Sequence, residues 1–288
     1  MSDFPLSELL RPELAELSAY VPEAGDFAVR LDANEAPPLL SEAAKKRLGE
    51  VAAETAWERY PDARCTELRR AIAAKHEVSA DEVLVGTGSD EVITMLLTAL
   101  ARPRAGNPAA TIVTTTPTFV MYRISGRVRG MQVLEVPLDP DWDLADGSIL
   151  RAIEVSPPNI LFIATPNNPT GNPIKRERLI NVIEAASESL VVIDEAYADY
   201  ASSHHLDLYR RYENVAILRT LSKVGFAALR VGWMIGHPEL VREIDKVRSP
   251  YNAPTASQRL AVTVIDELGG EVRRIASEVI AERERLSG

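Results

Sequence analysis

With 288 residues, 46% hydrophobic and 26% charged, the chain has the balance of a soluble globular protein of about two domains with a sizeable core. Its net charge of -10 argues against nucleic acid or an anionic membrane as a general partner, so an anionic ligand would need a locally basic or amide-lined pocket. The single cysteine, Cys65, excludes an intrachain disulfide, and with no secretory signal or membrane-length apolar run in view the expected location is the cytoplasm.

Residues 1–30 hold Pro5, Pro12 and Pro22 and only short apolar clusters, which reads as an arm with a short helix lying on another surface. The next stretch, 31–38, is a polar turn kept out of helix by Pro37 and Pro38. Ser41 can cap a helix running to about Thr55. A loop at 57–62 precedes a second predicted helix over 65–76. From residue 80 the pattern becomes strand, loop, helix, repeated. Strands are predicted at 83–85, 111–115, 132–136, 160–163, 190–193, 215–218 and 231–235. Helices are predicted at 91–100, 120–128, 147–153, 175–187 and 238–248. This alternation argues for an α/β fold, a three-layer, mainly parallel sheet. The link from Leu218 to Val231 is about the minimum for a crossover, so the last strand is free to run antiparallel. The alternation ends near Pro250, and a long helical tract follows from Thr255, interrupted at Gly269 and Gly270. The expected division is therefore an arm at 1–30, a large domain at 31–250 and the start of a smaller one at 251–288.

Ligands of open α/β sheets sit beyond the carboxyl ends of the strands. Each polar cluster here follows such an end, so the topology should gather them into one crevice. Lys223 lies just past an apolar strand, with Ser222 before it and Arg230 seven residues on. That set suits a carbonyl cofactor carrying a phosphate, its amine forming a Schiff base while the hydroxyl and guanidinium hold the phosphate. A surface lysine after a strand would look the same in isolation. Gly86-Thr87-Gly88-Ser89 opens a helix and offers free N–H groups to a phosphate, or is a plain glycine turn capped by Ser89. The full dinucleotide and nucleotide-triphosphate glycine motifs are missing, which weakens NAD and ATP.

Asp194 ends a four-residue apolar strand, where a carboxylate must be paired or face a ligand; an N-cap would also explain it. Against a pyridine nitrogen it would keep that nitrogen cationic. Tyr197, three residues on, can reach the same ligand's phenolate oxygen. Asn168-Pro169-Thr170-Gly171 is expected to be a rigid turn, with a cis Asn168–Pro169 bond, aiming the amide into the crevice. Phe119 could stack on a flat ring or pack in the core. His76, His204, His205 and His237 show no metal spacing, so no metal is expected. The acidic run over 139–146 reads as a solvated loop.

Together, 165–171 (TPNNPTG), 191–197 (VVIDEAY) and 219–232 (RTLSKVGFAALRVG) resemble the fold-type I pyridoxal-phosphate (PLP) aminotransferases, nearest the histidinol-phosphate branch. Supporting segments are 31–37 (LDANEAP), 59–62 (RYPD), 86–91 (GTGSDE) and 117–122 (PTFVMY), in the same order along about 28–262. The resemblance implies that Lys223 is the Schiff-base lysine and the base that moves the substrate proton. It implies Asp194 at the pyridine nitrogen, Asn168 and Tyr197 at the ring oxygen and Phe119 stacked on the ring. Gly88, Ser89, Asp90, Ser222 and Arg230 would hold the phosphate. Tyr60 would reach the cofactor of a neighbouring subunit in a homodimer with shared sites. Asn34 and Tyr122 would lie near the substrate.

The implied reaction is transamination between histidinol phosphate and 2-oxoglutarate in histidine biosynthesis. Another amino-acid aminotransferase or threonine-phosphate decarboxylase shares these motifs, and a non-catalytic PLP-binding or dimerisation module is the alternative from another class. The family normally continues beyond residue 288, with most of a small domain and the arginine that binds the substrate carboxylate or phosphate. This chain is therefore expected to be C-terminally short, with an incomplete small domain.

Overall fold

The structure is a computed structural model that describes residues 6–12, 14, 18–19, 25–29, 31–104 and 106–287. In the arm, α1 covers Leu6–Leu9, and Arg11 donates to the carbonyl of Val128 at 2.6 Å. Pro5, Pro22 and much of the arm lie outside the described residues.

Among the described residues seven strands form the sheet: β1 (Val83–Thr87), β2 (Thr111–Thr116), β3 (Gln132–Pro137), β4 (Ile160–Ala164), β5 (Leu190–Asp194), β6 (Val215–Thr220) and β7 (Val231–Ile235). Their spatial order is β1-β7-β6-β5-β4-β2-β3. β7 runs antiparallel to both β1 and β6, and the remaining pairs are parallel. The expectation of a mainly parallel sheet with an antiparallel last strand therefore holds. The direction of β7 has a consequence for chemistry. Its amino end, Val231, pairs with Thr87 at the carboxyl end of β1, so the residue before it, Arg230, reaches the same sheet edge as the other loops.

The strands are apolar almost throughout because both faces are covered. Successive side chains alternate between two buried clusters. On one side Val83, Val85, Leu161, Ile163, Val191 and Ile193 meet α3 (Thr66–His76), α6 (Asp146–Val155) and α7 (Arg176–Ala185). On the other, Leu84, Ile160, Phe162 and Val192 meet α4 (Ser89–Ala99), α5 (Met121–Val128) and α9 (Pro238–Asp245). This is the three-layer α/β architecture.

Ser41 caps α2 (Glu42–Ala53), its side chain accepting from the N–H of Ala44 at 3.2 Å. α8 (Leu206–Arg211) was not anticipated. α10 (Thr255–Asp266) packs on α2 and α3, and α11 spans Gly269–Ser287. The expected domain boundary after residue 250 is not a break in packing: Ala253, Ala261, Val264 and Val272 join the same core as β1 and β5. An amphipathic helix does not reveal which surface it will cover, and here α10 covers α2 and α3.

Candidate active site

β5 ends on Asp194, which is only 4% exposed. Its Oδ2 accepts from the Tyr122 hydroxyl at 2.6 Å, and its Oδ1 from the Ala196 N–H at 2.9 Å. Burial pushes the carboxyl up, and these two donors pull against that without cancelling it. Tyr122 itself is fully buried, its ring stacked on Phe162 at 4.7 Å and meeting the Phe119 ring edge-on at 5.5 Å. Expected near the substrate, Tyr122 lines the inner pocket and gives its hydroxyl to the aspartate. The reason is helical phase: Tyr122, Ser125 and Gly126 form the buried face of α5.

β6 leads into a wide turn, Ser222–Phe226, with Gly225 at φ +95°. Lys223 emerges half-buried from it. Its Nζ donates to the carbonyl of Ala33 at 2.9 Å and stands 5.8 Å from the centre of the Tyr197 ring. Burial pushes this amine below the usual lysine range, Asp90 opposes the shift and Arg230 adds to it. The Tyr200 hydroxyl donates to the Lys223 carbonyl and steadies the turn. The Tyr197 phenol, raised by burial, accepts from the Asn34 side-chain amide at 2.9 Å.

The start of α4 supplies the third wall. Gly88 takes φ +80° there, and a Cβ on it would stand 2.7 Å from Nη2 of Arg230. Gly232 of β7 passes directly beneath, where a Cβ would meet the Ser89 nitrogen at 2.3 Å. The two glycines bring the free N–H groups of a helix start against a guanidinium. Arg230 also reaches the Ser222 hydroxyl at 3.4 Å. The Asp90 carboxylate lies 3.7 Å from Arg230, so what Asp90 offers an anion is its backbone N–H.

The fourth wall is the turn after β4. Asn168–Pro169 is cis, as expected, and so are Thr116–Pro117 and Thr165–Pro166. Asn167 is buried and spends its side chain on the turn: it donates to the Pro117 carbonyl at 3.0 Å and to Thr170 at 2.8 Å, and accepts from Thr118 at 2.8 Å. Asn168 is left to face the crevice.

The crevice has an inner pocket of about 90 Å³ and an outer chamber of about 510 Å³ that share Pro166, Asn168, Tyr197 and Lys223 in their walls. Ser89, Asp90, Phe119, Asn168, Asp194, Tyr197, Ser222, Lys223 and Arg230 all line the inner pocket, with Tyr122. Asn34 lines the outer chamber. Tyr60 lines neither; it is 81% exposed and stacked on Tyr251 at 4.8 Å. Sequence reasoning missed the Ala33 carbonyl, Tyr200, Thr220, and Val279 and Arg283 of α11 at the outer chamber. Ala33 and Thr220 lie inside matched segments but were given no role there, and no motif covers Tyr200, Val279 or Arg283. Among the described residues no His, Cys, Asp or Glu group could hold a metal ion.

These walls suit a flat, phosphate-bearing carbonyl cofactor. Amide donors, a hydroxyl and a guanidinium gather at one end. A buried carboxylate sits at the sheet edge, and a desolvated amine stands beside them.

Residues 28–288 match the family described as aminotransferase class I and II. A histidinol-phosphate aminotransferase of Chromobacterium violaceum is 38% identical over 98% of this chain and 78% of its own length. One from Polaromonas naphthalenivorans is 36% identical over 98% of this chain and 76% of its own. The histidinol-phosphate aminotransferase of Sinorhizobium meliloti, solved in complex with pyridoxal-5'-phosphate, superposes with a TM-score of 0.84 at 22% identity, covering 99% of this chain and 77% of that one. The pocket and the family agree in kind, and this chain belongs to the class I and II aminotransferases.

Proposed function

We propose that the chain catalyses PLP-dependent transamination of histidinol phosphate, with 2-oxoglutarate as the amino acceptor, in histidine biosynthesis. One observation carries the reading. The Lys223 amine and the Asp194 carboxylate line the same pocket from adjacent parallel strands, where Asp194 pairs with Leu218. The shared name of the relatives supports the substrate.

Bound there, PLP would supply a carbonyl carbon for an amine to attack and a ring that accepts electrons when a Cα–H bond breaks. Ser222, Arg230 and the amides of Ser89 and Asp90 would hold its phosphate. Asp194 would pair with the ring nitrogen, and Asn168 and Tyr197 would bond the ring oxygen, with Phe119 against the ring face. Burial favours the neutral form of Lys223, which suits it to take the substrate's Cα proton and return it. Asn34 faces the outer chamber, where the substrate's polar end would lie. Tyr60 would serve the site of a second copy, in a cytoplasmic homodimer.

Borohydride reduction with PLP, followed by peptide mapping, should label Lys223. Steady-state assay with histidinol phosphate and 2-oxoglutarate should give turnover. An unlabelled Lys223 removes the enzyme reading. Turnover of other amino donors alone moves the chain elsewhere in the family, and bound PLP without any turnover favours a non-catalytic module.

A further inference from the structure

We propose that Tyr122 is a positioning residue for Asp194: its hydroxyl holds the carboxylate ionised and aimed into the pocket, and so keeps a proton on the ring nitrogen of the bound cofactor. The inference rests on the PLP reading above and goes beyond it, because it assigns the control of the ring nitrogen to a residue whose hydroxyl is given to Asp194.

The geometry is specific. The Tyr122 O–H meets Oδ2 at 2.6 Å while the Ala196 N–H meets Oδ1 at 2.9 Å. An N–H can only donate. A phenol this deeply buried keeps its proton, since burial and the nearby Asp194 push it well above the ordinary tyrosine range. Both contacts therefore stabilise the anion. Each oxygen accepts one of these bonds and keeps lone-pair capacity for a cation in the pocket. The hydroxyl cannot drift, because Phe162 stacks on one face of its ring with planes 7° apart and Phe119 closes in edge-on.

The need for such a donor is visible in what surrounds Asp194. Desolvation disfavours its charge, and so do Asp90 from α4 and Glu195, the next residue in the chain. Lys223 and Arg230 line the same pocket, and Tyr197 adds a neutral phenol beside them. Against two anionic neighbours and burial, the Tyr122 hydroxyl is the only side-chain donor the carboxylate has among the described residues.

The test uses the holoenzyme reconstituted with PLP carrying ¹⁵N at the ring nitrogen, with its chemical shift followed against pH. Wild type should keep the protonated shift across the neutral range. In Tyr122→Phe the proton should be lost at a pH lower by about one unit or more, with PLP bound about tenfold more weakly. Incorporating 3-fluorotyrosine at position 122 keeps the shape and strengthens the donor, so it should move the midpoint the other way; it also decides the matter if Tyr122→Phe does not fold. A loss of melting temperature alone, with the nitrogen's titration unmoved in a variant that binds PLP, overturns the proposal and leaves a packing role. A wild type that binds no PLP instead sinks the functional reading on which it rests.

Discussion

The ε-amine of Lys223 donates to the backbone carbonyl of Ala33 across 2.9 Å, joining residues 190 positions apart. A second tie lies beside it, from the Asn34 amide to the Tyr197 hydroxyl. The segment before α2 thus closes over the lysine and withdraws it from water. A lysine held below its ordinary value of 10.5 binds fewer protons folded than unfolded between the two values, so its contribution to stability rises with pH across that window. Without cofactor, Lys223→Met should therefore melt at or slightly above wild type at pH 7, and the gap should close as the pH nears 10.5. The carbonyl it abandons belongs to the exposed Ala33, where water can replace the amine. A variant that melts well below wild type at pH 7 would show that the tie outweighs the desolvation.

Gly232 is where two structural needs meet. A Cβ there would stand 2.3 Å from the Ser89 nitrogen and 2.5 Å from the Gly88 carbonyl carbon, both backbone atoms that cannot turn aside. Gly232→Ala should push β7 away from the start of α4, costing about 1–3 kcal/mol of stability. The same shift should separate Arg230 from the helix amides and weaken PLP binding. Urea unfolding and a PLP titration check the two effects; a stable variant with unchanged affinity would show that the close approach is unimportant.

Much of this was legible from the chain alone, for identifiable reasons. Strands such as Leu190–Asp194 are covered on both faces, so they read as continuous apolar runs. The shortness of the link before Val231 foretold the antiparallel strand. The lysine, aspartate and glycine loops follow strand ends, which the topology gathers. The bond from Tyr122 to Asp194 was not legible, because Phe119 and Tyr122 both follow a strand end and only the phase of α5 decides which one is buried at the carboxylate. The Ala33 carbonyl carries no side-chain signature. Glu195 and His205 show their pairing only once β5 and the loop before α8 are folded together. Val279 and Arg283 sit on an ordinary amphipathic helix, whose register against the chamber no local pattern announces.

Tyr60 tests whether sites are shared between copies. It stacks on Tyr251 and lines neither the inner pocket nor the outer chamber of its own chain. Tyr60→Phe should keep that stack and the melting temperature while weakening PLP binding through the lost phenol, by about tenfold. At a PLP concentration too low to load the Tyr60→Ala sites, mixing that variant with Lys223→Ala should restore roughly a quarter of wild-type activity, because about half of the dimers are then mixed, both defects fall on one of their two sites, and the other site is intact. No recovery on mixing would argue that each copy works alone.

Asp194 and Glu195 are adjacent buried carboxylates with opposite habits. The Glu195 side chain accepts the His205 N–H at 2.6 Å on one oxygen, and Arg219 at 2.6 and 2.9 Å on the other. Burial raises its carboxyl, but His205 and Arg219 outweigh that and hold it below 4.5. Its stabilising contribution is thus complete above pH 4.5 and lost as the pH falls through the lower folded value. Asp194 lies above its ordinary 3.8, so its contribution runs the other way: it is present below pH 3.8 and lost as the pH rises through the folded value. Breaking the Glu195 pair strands Arg219, which is largely buried, so Glu195→Gln should cost about 3–5 kcal/mol at pH 7 and flatten the acid limb of the stability curve. Asp194→Asn should leave the cofactor-free protein as stable or more so at pH 7, yet weaken PLP binding by about a hundredfold, since an amide cannot hold a cationic nitrogen. Urea midpoints of the two variants between pH 4 and pH 8 separate the roles, and a shift in the same direction for both at pH 7 would refute the division between a structural carboxylate and one held ready for ligand.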